Sequence, residues 1–212
     1  MISKYRRTIN KEEELSNFWP TFTDLLATVL MVVIMFLISS ESMVGGVEQG
    51  IANSINESVK QTLKENGIPV EIDEASGDVT FGEAAFFDTN SYELKEEAKE
   101  MLKIFIPKYA ETIYKDYGDH VSKIVVEGHT DDVGTYIYNL DLSQKRAFSV
   151  VNYIVSEEIG EYKYKDKLTE DIIAIGRSEA ETIKDKEGNI ERDKSRRVEI
   201  KYEVNINNEK DA

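Results

Sequence analysis

The chain predicts an α+β protein with one N-terminal transmembrane helix, a linker helix and a β-α-β-α-β-β sandwich domain. Three observations lead there. An unbroken apolar stretch, Phe18–Ser40, lies near the N-terminus, and a stripe of aliphatic residues at four-residue spacing follows it. From Val70 onward, short β-branched runs alternate with helical apolar periodicity. The predicted segments are a cytoplasmic N-terminus (1–17), the membrane helix (18–40), a linker or dimerisation helix (41–69), the sandwich domain (70–204) and a flexible polar tail (205–212).

The membrane helix comes first. At about 1.5 Å per residue the stretch reaches roughly 35 Å, enough to cross a hydrocarbon core of about 30 Å with some tilt. Asp24 is the one ionisable residue inside it. A carboxylate there costs about 2.5–3.5 kcal/mol on insertion scales, which makes function the default reading. One helix cannot enclose a channel, so an ion path would be shared with another subunit. Thr21, Asp24 and Thr28 fall at i, i+3 and i+7 and form a single polar stripe. The same stripe also suits a helix that only hydrogen-bonds to a partner helix. Phe18 and Trp19 match a headgroup belt, and Pro20 fits a first helical turn.

Lys4, Arg6, Arg7 and Lys11 precede the span, while Glu41 to Gly50 carries no Lys or Arg. The positive-inside rule then leaves the N-terminus in the cytoplasm and places all that follows Ser40 outside. The run is long for a signal-peptide core and contains an acid, so an uncleaved anchor is expected.

Val47, Ile51, Ile55, Val59 and Leu63 recur every four residues up to Asn66-Gly67. Such a stripe needs cover. Self-pairing of two chains is the favoured use, and packing on the chain's own domain is the ordinary alternative.

Within the domain, Val70–Ile72 and Asp78–Phe81 read as a hairpin turned at Ser76-Gly77. Leu94, Ala98, Met101, Leu102, Phe105, Tyr109 and Ile113 mark one helix face, with a kink expected at Pro107. Lys123–Glu127 is a buried strand, Leu142–Ile154 a helix, and Asp171–Ile175 and Arg197–Val204 are further strands.

Composition narrows the function classes. A net charge of −15 over 212 residues argues against nucleic-acid binding, which needs a basic footprint. Without cysteine there is no disulfide or thiol nucleophile, and with His120 and His129 alone a metal site would rest mainly on carboxylates. Neither a Gly-x-Ser-x-Gly elbow nor an HExxH motif occurs, so no enzyme and no cofactor is expected.

Gly128-His129-Thr130-Asp131 ends a strand, Gly134 permits a turn, and Asn139-x-x-Leu142-Ser143-x-x-Arg146-Ala147 opens a helix. With Phe87-Asp88 before the first domain helix and Ser195-Arg196-Arg197-Val198-Glu199-Ile200 at the end, these resemble the OmpA-like peptidoglycan-binding domain over residues 70–204. The resemblance implies that Asp131 and Arg146 hold the diaminopimelate group of the cell-wall peptide, with Thr130, Asn139 and Leu142 around them. A zwitterionic amino-acid end suits one carboxylate facing one guanidinium fork. On spacing alone, a plain salt bridge between Asp131 and Arg146 is the favoured reading, and the family resemblance reverses that preference. Asn139 and Ser143 could cap the helix, His129 packs or hydrogen-bonds at the strand end, and Arg196 and Arg197 could be a solvated strand start. The family more often has Asn where Ser195 stands.

Adding the basic N-terminus, the span with Phe22-Thr23-Asp24-Leu25 and the linker helix, the chain resembles the B subunit of MotA/MotB-type stators. Phe81-Gly82-Glu83-Ala84, Tyr136-x-Tyr138-Asn139-Leu140 and Ser195-Arg196-Arg197-Val198-Glu199 look closer still to the MotB-like ZorB family of Zorya anti-phage systems. The resemblance implies a homodimer inside five copies of a MotA/ZorA-like membrane subunit, anchored to peptidoglycan from the inner membrane. In it, Asp24 would carry the translocated ion, with Thr21, Phe22 and Thr28 lining the path. The ion is H+ or Na+; Phe22 stands where many proton-driven relatives carry Tyr. Two other readings follow from the same residues: a flagellar MotB subunit, and a passive OmpA- or Pal-like wall anchor without transport.

Overall fold

The computed structural model describes residues 2–65, 71–73 and 76–204, and in the first helix it describes the side chains of 22–37 and 49–65. Helix α1 spans Ile2–Glu65. The chain divides into two compact units, one ending at Val47 and one beginning at Glu48.

In the first unit, every described side chain from Phe22 to Leu37 is exposed, including Leu25, Val29, Val32 and Phe36. About 24 Å of bare, mostly apolar helix in water would be strongly unfavourable, since each fully buried Leu, Ile, Val or Phe is worth about 1.5–3 kcal/mol. Among the described residues, no helix is long and apolar enough to cross a membrane. The outer parts of the predicted span, with Thr21, lie outside the described side chains.

The second unit is built on a five-stranded sheet. Its strands are β1 (Glu71–Ile72), β2 (Val79–Gly82), β3 (Val121–Gly128), β4 (Ile172–Gly176) and β5 (Arg197–Val204). Their order is β1-β2-β5-β3-β4, with β3 and β4 parallel and the other neighbours antiparallel. The helices are α2 (Glu83–Phe86), α3 (Glu96–Tyr117), α4 (Tyr136–Val155), α5 (Lys165–Asp171) and α6 (Arg192–Ser195). The predicted hairpin, long helices and strands are all present, while the short α2, α5 and α6 were not anticipated. Leu94 bridges Phe87 just ahead of α3 rather than joining that helix, and α3 continues as one element past Pro107.

Strand alternation separates two faces. Val198 and Ile200 of β5, with Ile124 and Val126 of β3, join Leu102, Phe105 and Ile113 of α3 and Val150 and Ile154 of α4 in one core. Phe81 meets Phe105 edge-on at 5.4 Å, a favoured aromatic geometry. The linker stripe belongs to this core. Ile55, Val59 and Leu63 are buried, Ile51 packs beside them, and Tyr202 Oη donates to Ala52 O at 2.9 Å. The favoured self-pairing of this stripe is therefore corrected for these side chains. They fill the chain's own core, because the sheet's helix-facing side needs an aliphatic cover beside α3. Val47 lies outside the described side chains.

Two glycines bring α4 down onto the sheet. A Cβ on Gly128 would stand 2.2 Å from Ser143 O, and one on Gly176 would stand 2.5 Å from Gln144 N. Only bare backbone at these strand ends allows α4 to approach so closely. The edge of β4 is then closed by Gln144, whose Oε1 accepts from Gly176 N (2.8 Å) while Nε2 donates to Ala174 O (3.2 Å).

Candidate functional site

At the end of β3, the β2–α3 connection, the start of α4 and the chain ahead of β5 enclose a groove of about 550 Å³. Thr130, Asp131, Asn139, Leu142 and Arg146, the five wall-binding residues expected from the sequence, all line it. Helix α4 starts earlier than expected, at Tyr136, because Thr135 caps it: Thr135 Oγ1 accepts from Tyr138 N at 3.3 Å. Asn139 and Ser143 are thus freed from capping. Asn139 Nδ2 donates to Asp131 O (3.3 Å) and to Glu179 Oε2 (3.0 Å), tying the strand-end loop to α4. Ser143 Oγ accepts from Ser178 N at 3.0 Å.

The expected pair of Asp131 and Arg146 is drawn apart by two residues that sequence reasoning did not assign to the site. Arg146 Nη2 lies 2.5 Å from Glu83 Oε1, and its Nε donates to Ser91 O at 2.9 Å. Glu83 Oε2 lies 3.0 Å from Arg196 Nε, and Arg196 Nη1 lies 2.5 Å from Asp131 Oδ2. Arg196 also pairs with Asp193. The result is an alternating chain, Arg146–Glu83–Arg196–Asp131, with charges in balance. The Arg146 guanidinium stacks over Phe87, 5.3 Å from its ring centre. Asp131 Oδ1 accepts from Val133 N at 3.0 Å. Asp131 raises Arg196 above the usual guanidinium range chiefly through the hydrogen bond that Arg196 Nη1 donates to Asp131 Oδ2. Arg196 is thus no solvated strand start, and Arg197 is buried. Glu83 left little signal beyond its place in Phe81-Gly82-Glu83-Ala84, because its partners lie far away in sequence.

Chemically, the groove is lined by both signs of charge, the carboxylates of Glu83, Asp88, Asp131 and Asp193 and the cations of Lys95, Arg146 and Arg196, complementary to a ligand that itself carries both signs. Thr130 Oγ1 adds a buried hydroxyl with no hydrogen-bond partner among the described residues. An unpartnered buried polar group is unfavourable, so a ligand that bonds it gains.

The opposite face of the sheet carries a second ionic cluster. Lys201 Nζ lies 2.7 Å from Glu199 Oε2 and 2.9 Å from Glu127 Oε2, while Arg197 Nε donates to Glu199 Oε1 at 2.6 Å. His129 is buried here, with Nε2 3.3 Å from Glu199, and does not line the groove. Burial works to raise the Glu199 carboxyl, but hydrogen bonds from His129, Lys201 and Arg197 outweigh it and hold the group well below the carboxylate range. Glu127, His129 and Glu181 come close enough to surround a cation. Arg177 already meets Glu127 at 2.5 Å and Glu181 at 3.7 Å, so the protein supplies its own counter-charge there. Ser195 is structural: its Oγ accepts from Ile183 N and donates to Glu191 O, both at 2.9 Å.

A mixed five-stranded sheet with helices on one face and an ionic groove at its strand ends defines a small α+β ligand-binding domain. The chain belongs to the OmpA family, which is matched over residues 86–196. It is similar to the Zorya protein ZorB of Escherichia coli (Crooks strain), 27% identical over 94% of this chain and 93% of that one. A Zorya protein ZorB from another Escherichia coli strain is 28% identical over 68% of this chain and 62% of its own length. The peptidoglycan-associated lipoprotein of Mesorhizobium japonicum is 35% identical over 41% of this chain and 48% of that one. Among solved structures, a MotB-like protein from Desulfovibrio vulgaris shares the fold with a TM-score of 0.54 at 17% identity, covering 75% of this chain and 99% of its own. The stator-B resemblance carried by the sequence motifs is thus met again in whole-chain similarity to ZorB.

Proposed function

We propose that this protein is the peptidoglycan-anchored B subunit of an ion-driven rotary motor, serving in a Zorya-type anti-phage system. The observation that carries this reading is the joining, in one chain, of an OmpA-family groove with an exposed apolar helical stretch, residues 22–37, whose one acid is Asp24. The similarity to ZorB over nearly the whole chain supports the defence setting. Peptidoglycan-associated relatives support the wall as ligand.

In this reading residues 18–40 cross the inner membrane, with the N-terminus in the cytoplasm and the domain in the periplasm. Asp24 takes up the ion from one side and releases it to the other, while Phe22, Thr21 and Thr28 shape its surroundings. Thr28 Oγ1 is turned onto its own helix, donating to Leu25 O at 2.8 Å and Asp24 O at 3.0 Å. That back-bonding to the preceding turn perturbs the helix beside the acid. Two copies sit within a pentamer of a MotA/ZorA-like subunit. One unit charge crossing 100 mV releases about 2.3 kcal/mol, enough to bias a rotational step. The groove holds the zwitterionic diaminopimelate end of a stem peptide through the ionic chain that includes Asp131 and Arg146, and so fixes the B subunits to the wall while the A ring turns.

The test is Asp24→Asn in cells that carry the partner subunit. Asn keeps the shape but cannot exchange a proton or balance a cation. Phage protection and ion flux are expected to vanish while the complex still assembles and still co-sediments with purified peptidoglycan. Full protection by this variant would leave a passive wall anchor as the better account.

A further inference from the structure

We propose that the outer edge of β4 is a self-pairing surface for a second copy of this chain, and that the side-chain amide of Gln144 holds it closed, independently of what the groove binds. An edge strand presents backbone N–H and C=O groups to any other chain, and natural proteins blunt such edges with charge, proline, bulges or a cover. β4 is the last strand of the sheet order, and its sequence, Ile-Ile-Ala-Ile-Gly, carries neither a charge nor a proline. Three of its five residues are β-branched isoleucine, the kind of segment that pairs readily. Ile173 is 37% exposed and lies, with Ile175, on the sheet face turned away from the helices.

Backbone groups of successive strand residues turn to opposite edges. Arg177 N donates to Gly128 O of β3 at 2.9 Å, so Ile172, Ala174 and Gly176 direct theirs outward. At one end of the edge, Leu168 O of α5 takes Ile172 N–H. At the other, Gln144 accepts from Gly176 N (2.8 Å) and donates to Ala174 O (3.2 Å). A residue of a parallel neighbour strand would bond these same two groups, so the Gln144 amide stands in for one. Gln144 is itself exposed on α4, and water competes for its amide.

The occupant that fits the uncovered edge is a second β4. Two such strands set antiparallel about a two-fold axis at Ala174 bring Ile173 of one copy opposite Ile175 of the other. No like charges meet, and the exposed Ile173 gains apolar cover. Gln144 occupies the hydrogen-bonding groups on which that pairing depends.

The experiment uses the full chain in detergent, with light scattering after size exclusion over a concentration series and hydrogen exchange at the β4 amides. Gln144→Met keeps the stem and the helix propensity and removes only the amide. It is expected to self-associate roughly tenfold more strongly than wild type, about what two net hydrogen bonds are worth. Ala174 and Gly176 N–H should exchange slowly in the associated form. Gln144→Ala should associate in the same way. Adding Ile173→Lys to Gln144→Met sets an unpaired ammonium on each edge and should return association to the wild-type level. A Gln144 that only steadies α4 would lower the melting temperature of both single variants and leave their association as in wild type, which overturns the proposal. Association that Ile173→Lys does not relieve also overturns it, because the new contact then lies away from β4.

Discussion

Asp131 and Arg146 line one groove but each closes an ion pair with a different partner, Arg196 and Glu83, and these two partners also pair with each other. The recognition element is therefore a four-member chain of alternating charge, and removing any member leaves a neighbour uncompensated. This governs what substitutions in the groove do.

Asp131→Ala deprives Arg196 of one partner, but that guanidinium is partly exposed and keeps Glu83 and Asp193, so co-sedimentation of the full protein with purified peptidoglycan is expected to fall at least tenfold with a smaller change in thermal stability. Arg146→Ala is different. It strips a buried cation from Glu83 and opens a void over Phe87, a combination worth about 3–5 kcal/mol. Its loss of wall binding should come with a clear drop in melting temperature. Unchanged sedimentation by the folded Asp131→Ala protein would show that this carboxylate is only a structural bridge.

Much of this architecture was legible in the sequence because it rests on local periodicity. The alternation in β5 and the apolar face of α3 follow from residue order alone, and the strand-loop-helix motif around Gly128-His129-Thr130-Asp131 marks the groove. Glu83 and Arg196 were not legible, since the ion pairs that give them a role join residues more than sixty positions apart in the chain. The cover for the linker stripe was hidden for a related reason. Periodicity says that Ile55 and Val59 must be buried, but not against which surface.

That cover yields its own expectation. Ile55 is fully buried against the core of its own domain, so Ile55→Ala should destabilise the second unit by about 2–5 kcal/mol. At about 2–4 °C per kcal/mol for a domain of this size, melting of a fragment beginning at Glu48 would drop by roughly 4–20 °C. Single cysteines at positions 51, 55 and 59 should not crosslink between chains. Efficient disulfide formation at 55 with no loss of domain stability would restore self-pairing as the use of this face.

The ionic cluster beneath the sheet sets an acid limit. Because the folded protein holds Glu199 well below its unfolded value of about 4.3, its stabilising contribution is complete above that value. It is lost as the pH falls below about 4 toward the folded pKa. Glu127 acts in the same direction: burial opposes its ionisation, yet hydrogen bonds from Arg177 and Lys201 leave it lowered. Asp78, raised by burial, works the opposite way and blunts the slope. Denaturant unfolding between pH 3 and 7 should show stability falling on the acid side in wild type and a shallower fall in Glu199→Gln. A steeper fall in that variant would contradict the assigned sign.

The seat of α4 gives the last test. Gly128 ends β3 immediately before His129, Thr130 and Asp131, and the space a methyl group would need is filled by the backbone of Ser143. A backbone carbonyl cannot swing aside as a long side chain can, so Gly128→Ala must push α4 away from the sheet. Overpacking of this kind costs about 1–3 kcal/mol. The displaced helix carries Asn139, Leu142 and Arg146, three of the groove's lining residues. Gly128→Ala is therefore expected to weaken peptidoglycan binding several-fold more than its loss of stability explains. Gly188→Ala serves as the control: a Cβ there meets nothing within 4 Å, and although its φ of +89° strains any other residue, its side chain would lie in open space. That variant should lose some stability and keep its affinity for the wall. If both variants bind peptidoglycan as wild type does, the groove does not depend on how closely α4 is seated.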